Sequence, residues 1–122
     1  MSMHEKIDYV EFPARDLDVA KTFFAEVFDW KFTDYGSDYT AFFEAGLNGG
    51  FYRSDLTAST ANGSALIVFH SKTLERTQER IERAGGSIIK PVFTFPGGRR
   101  FHFADPNGNE YAVWTRVSAE ET

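Results

Sequence analysis

Apolar and polar positions along the chain change period in a set order, and they do so twice. Residues 7–12 form a short apolar-aromatic run that reads as a strand, ended by Pro13, which has no amide proton for a ladder. Asp16 offers a carboxylate to the orphan amide protons of a first helical turn. Behind it Leu17, Ala20, Phe24, Val27 and Phe28 recur at three- and four-residue steps, which places them on one helical face. Residues 30–33, 39–45 and 50–53 then read as three short strands. Turn residues Gly36-Ser37-Asp38 and Asn48-Gly49-Gly50 separate them.

Residues 54–63 are small, polar and aperiodic, and read as a linker. After them the order repeats. Residues 65–69 are an apolar strand, and residues 73–84 carry helical spacing through Leu74, Ile81 and Ala84 until Gly85-Gly86 stops it. Residues 87–95, 100–104 and 110–115 are three further strands, the last two joined by Asp105-Pro106-Asn107-Gly108-Asn109. Gly97-Gly98-Arg99-Arg100 reads as a mobile loop ahead of an edge strand. Setting Leu17 against Leu74 also aligns Asp18 with Glu75 and Phe24 with Ile81. The expected fold class is therefore α+β: one domain over residues 1–122, built from two βαβββ modules at about 7–53 and 64–115. Duplicated halves of this kind form open, curved, mixed sheets around a concave cup where a ligand would sit.

Composition narrows the functional classes. A chain of 122 residues can bury one real core but not two. Its net charge of −5 lacks the basic stripe that nucleic acid requires. There is no cysteine, so disulfides, thiolate metal sites and cysteine nucleophiles are excluded. No run approaches the roughly 18 apolar residues of a membrane span, and no secretory h-region is visible, so a cytoplasmic location is expected. Phe accounts for 13 residues, which suits both core packing and the wall of an apolar ligand cavity.

The residues at this point resemble the vicinal-oxygen-chelate superfamily, which includes glyoxalase I, bleomycin-resistance proteins and extradiol dioxygenases. The resemblance rests on the segment from Phe12 to Asp18, on Phe28-Asp29-Trp30, and on the closing motif Phe103-Ala104-Asp105-Pro106-Asn107-Gly108-Asn109-Glu110. It implies a U-shaped sheet around a small-molecule site, often with a divalent metal, and a second subunit that completes the cup as a homodimer. The family's metal-ligand positions, counted from the helix leucines and the Asp-Pro turn, fall on Tyr9, Leu66 and Ala112. Leucine and alanine cannot ligate a cation and neutral tyrosine is a poor ligand, so no cofactor is expected at the usual place.

Other polar residues could still supply chemistry. Period-two alternation puts Glu11 on the face of Tyr9 and His70 on the face of Leu66. A symmetric closing hairpin sets His102 opposite Ala112. Glu11, His70 and His102 would together offer the ligand types of a displaced site for Ni, Zn, Mn or Fe. Glu11, in an apolar strand, is also a candidate general base for a lyase or isomerase. A salt bridge from Glu11 to Arg53, Arg99 or Arg100 is the structural alternative. Tyr9, Tyr52 and Trp114 offer stacking faces and hydrogen-bonding tips, and Arg100 could meet an anionic ligand. The expected role is metal-free binding or sequestration of a small organic molecule, with the enzyme second. A cup merely filled by Phe side chains comes third.

Overall fold

The computed structural model describes residues 4–117. Module one contains β1 (Tyr9–Ala14), α1 (Leu17–Phe28), β2 (Lys31–Asp34), β3 (Tyr39–Phe43) and β4 (Asn48–Arg53). Module two contains β5 (Ile67–His70), α2 (Leu74–Arg83), β6 (Ser87–Phe95), β7 (Gly98–Ala104) and β8 (Glu110–Arg116). Each half closes an open four-stranded sheet, in the orders β1-β4-β3-β2 and β5-β8-β7-β6. The first strand of each half joins the last in parallel and all other pairs are antiparallel. The α+β duplication read from the hydrophobic pattern is thus present, with Leu17 and Leu74 each opening a helix.

Local chemistry explains most boundaries. The Asp16 carboxylate accepts the Val19 amide at 3.1 Å and caps α1. That helix ends on Asp29 in the left-handed region (φ 60°), a conformation aspartate tolerates, with its amide bonded to the Ala25 carbonyl. Gly85 takes the same region after α2 at φ 105°. Pro13 does not end β1, which runs on to Ala14. Because β1 lies at the edge of its sheet, its proline removes no ladder donor that the interior needs. Nor is 97–100 a loop before an edge. Gly98 to Arg100 already belong to β7, an interior strand between β6 and β8.

One core serves both modules. Phe12, Phe42 and Phe51 of the first sheet and Phe101, Phe103, Tyr111 and Val113 of the second belong to the same buried cluster as both helices. Phe24 of α1 stacks on Trp30 at 4.4 Å and Trp30 on Phe42 at 4.3 Å, while Phe12 meets Tyr111 at 5.3 Å between sheets. Phe23, which stands outside the expected helical stripe, is buried, and Phe28 is only half-buried.

The Asp105–Asn109 turn does more than reverse the chain. The Asn107 amide group pairs with both backbone groups of Asp16, at 2.9 and 3.0 Å. Asn109 donates to the Pro13 carbonyl at 2.7 Å and accepts the Ala58 amide at 2.8 Å. Asp105 accepts the amides of Asn107 and Asn109 and the buried Tyr111 hydroxyl at 2.7 Å. Module one, module two and the connecting segment are therefore held at one point. The segment 54–63 is correspondingly not slack, and it contains a 3-10 turn at Thr60–Asn62.

Asn109→Ala would leave the Pro13 carbonyl and Ala58 amide without partners, and should cost about 2–4 kcal/mol in urea unfolding. Asn62→Ala, at an exposed position in the same connection, should stay within about 1 kcal/mol.

Candidate functional site

Alternation along the strands sends the residues between the core positions to the opposite faces. On the first sheet these include Tyr9, Glu11, Tyr39 and Tyr52. The Tyr39 hydroxyl donates to Glu11 Oε2 at 3.0 Å, so the Tyr9 hydroxyl, 2.6 Å away, donates to Tyr39. Tyr39 reaches across β4 to make these bonds, and only glycine leaves room beneath it: a Cβ on Gly50 would lie 2.1 Å from its oxygen. Burial, then the bonds with Tyr9 and Glu11, push the Tyr39 hydroxyl well above the usual tyrosine range, so it acts as a proton donor throughout the physiological range. Glu11 itself is exposed, and its bond is to Tyr39 rather than to Arg53, Arg99 or Arg100. A cavity of about 310 Å³ beside it is lined by Glu11, Tyr52, Leu56, Ala58, Ala65 and Ile67.

On the second sheet His102 pairs with Ala112, as a symmetric hairpin requires. Both His102 and Glu110 are buried. Arg100 Nη2 lies 2.9 Å from His102 Nε2, and His102 Nδ1 lies 2.8 Å from Glu110 Oε2. A guanidinium can only donate, so Nε2 accepts, Nδ1 carries the proton and the imidazole is neutral. The other Glu110 oxygen accepts the Thr60 amide and hydroxyl, both at 2.9 Å. Burial pushes the Glu110 carboxyl up, but the bonds from His102 and Thr60 outweigh it and the net shift is downward.

Tyr9 and Glu11 therefore come together, as do Arg100 and His102. His70 stands apart at the end of β5, edge-on to Trp114 at 5.3 Å. The displaced metal site is not assembled: Glu11 is engaged by Tyr39, His102 by Glu110 and His70 by Trp114. Among the described residues no group of three His, Asp or Glu side chains could hold an ion. The usual metal position does not fit one either. Leu66 and Ala112 offer no donor, and the Tyr9 hydroxyl is bound to Tyr39. Tyr39, Thr60 and Glu110 are the site residues that the sequence reading missed. Glu110 was visible as a charge opening an apolar strand. Nothing local marks Tyr39 or Thr60, whose partners lie 28 and 50 residues away.

Residues 6–113 match the model of the Glyoxalase/Bleomycin resistance protein/Dioxygenase superfamily. The chain belongs to that superfamily. A glyoxylase-like domain-containing protein of Didymella fabae is 26% identical, over 95% of this chain and 98% of its own. Among solved structures, a glyoxalase-related enzyme from Fulvimarina pelagi superimposes with a TM-score of 0.75 at 17% identity, covering 97% and 96% of the two chains. The fosfomycin resistance protein FosX from Listeria monocytogenes gives 0.76 at 20% identity, covering 97% and 98%. These structural likenesses extend to the fold. Among the described residues no helix is long and apolar enough to cross a membrane.

Glu110→Gln should destabilise the fold by about 1–3 kcal/mol at neutral pH. The folded-state pKa of Glu110 lies below its unfolded value. Its contribution is therefore complete above the unfolded pKa and is lost as pH falls through the folded one. Melting curves of wild type and Glu110→Gln should accordingly converge in acid, below the ordinary carboxylate range.

Proposed function

We propose that this superfamily member binds a small, partly aromatic organic molecule without a metal cofactor, and that it works as a homodimer. One observation carries this assignment: the positions that would ligate a cation hold Leu66 and Ala112, while Tyr9 is tied into a hydrogen-bonded Tyr39–Glu11 group beside a cavity. That cavity is walled largely by aliphatic side chains, with Tyr52 offering a stacking face and Glu11 a hydrogen-bond acceptor, which suits a small organic ligand. Dimerisation is supported by apolar surface left on the sheets. Val68 and Ile89 are 42% and 47% exposed, and a second copy would cover them.

An enzymatic reading has one observation in its favour. Glu11 is an accessible carboxylate held by a tyrosine hydroxyl, which orients it as a general base for a lyase or isomerase.

Untagged protein incubated with Ni, Zn, Mn or Fe salts and desalted should retain far less than one ion per chain by elemental analysis. Flat aromatic compounds should raise its melting temperature, and Glu11→Gln should keep that response. Stoichiometric metal lost on Glu11→Ala or His102→Ala would overturn the metal-free assignment. Turnover abolished by Glu11→Gln with binding intact would establish the enzyme instead. Light scattering should give twice the chain mass.

A further inference from the structure

Arg100 is a cation whose buried Nε finds no hydrogen-bond partner among the described residues. Its guanidinium carbon lies 5.6 Å from the Phe93 ring centroid and 6.0 Å from that of Phe95. Trp114 stands across the ladder from it, in register on β8, with its ring 6.2 Å from Phe95. Of the guanidinium's five N–H groups, one is accounted for by His102, and the buried Nε has no hydrogen-bond partner among the described residues. A buried, charged donor without an acceptor is costly, more so than the neutral equivalent.

Arg53 and Arg99 do not share this condition. Arg53 is paired with Asp38 at 2.9 Å, and Arg99 with Glu75 of α2. Arg100 has no carboxylate partner among the described residues. The buried carboxylate nearest in the network, Glu110, is separated from it by the imidazole and already receives three hydrogen bonds, from His102 and Thr60. The chain Thr60–Glu110–His102–Arg100 therefore ends in an oriented guanidinium with spare donors. Each link fixes the next: Thr60 holds Glu110, Glu110 sets the tautomer of His102, and the bare Nε2 turns Nη2 inward. The Arg100 guanidinium carbon lies over the Phe93 and Phe95 rings.

We propose that Arg100 is an anion-recognition point on the second sheet, separate from the cavity beside Glu11, and that its ligand is a flat aromatic carboxylate. Its ring would stack among Phe93, Phe95 and Trp114, and its two oxygens would accept from the guanidinium in the paired geometry that arginine favours. His102 and Glu110 are positioning residues, which hold Arg100 and do not touch the ligand. This assignment rests on the proposed role as a small-molecule binder and adds the charge and class of the ligand to it.

The test compares 1-naphthoate with its neutral isostere 1-naphthamide by titration calorimetry on the full chain. The carboxylate should bind about ten-fold or more tightly than the amide, the ratio expected for one charge-assisted contact. Added salt should narrow the gap. Arg100→Gln should abolish the difference by weakening the carboxylate alone. His102→Asn should weaken the carboxylate partly and leave the amide unchanged, which a merely structural role would not do. Equal affinity of wild type for acid and amide would overturn the anion site while leaving the binding role intact, and that comparison needs no variant to fold. Binding of neither compound would overturn both assignments.

Discussion

The structure depends on a small set of buried hydrogen bonds in which the side chains of one turn complete the backbone of another module. Asp105, Asn107 and Asn109 are buried polar residues, and each would be a liability on its own. They are tolerated because nearly every donor and acceptor is matched, Asn107 to Asp16, Asn109 to Pro13 and Ala58, and Asp105 to its own turn and to Tyr111. Individual bonds of this kind contribute only about 1 kcal/mol net. What matters is the asymmetry: breaking one strands a buried partner. The aromatic core, being non-directional, tolerates small slips between modules, whereas this clasp does not.

The position of the site follows from that clasp. Glu110 is the residue after Asn109, so anchoring Asn109 to Ala58 brings Glu110 to Thr60 two residues further along the same segment. The same anchoring draws the connection between modules over the second sheet. From Glu110 the network passes to His102 on the neighbouring strand and on to Arg100, all on the face opposite the core. On the first sheet an independent group forms around Tyr39, made possible by the missing side chain at Gly50. Two polar clusters thus stand on two modules, one acidic and phenolic, the other ending in a cation.

Leu66 and Ala112 carry no metal-ligating atoms, and the carboxylates of both polar clusters are satisfied by protein donors. Glu11 takes a phenol, and Glu110 takes an imidazole, a hydroxyl and an amide. Glu110 consequently remains ionised while buried, because those donors outweigh its desolvation. Both clusters are pre-oriented, which favours recognition of a defined ligand over adaptive packing.

The sequence by itself determined the order of elements, the duplication, the helix faces, the cap at Asp16 and the lack of donor atoms on Leu66 and Ala112. These are local or periodic properties, set by side-chain spacing and by the chemistry of single residues. It also made Arg100 and His102 neighbours on one face, because they are two apart on a strand. Only the tertiary structure decided that Pro13 sits within an edge strand, that β7 is interior, and that segment 54–63 is pinned. It alone separated Glu11, His70 and His102 and joined Tyr39 to Glu11 and Thr60 to Glu110. Those outcomes depend on which strands become neighbours and which side chains meet across tens of residues, and the polar side chains of the Asp105–Asn109 turn govern that arrangement through contacts 91 and 96 residues away.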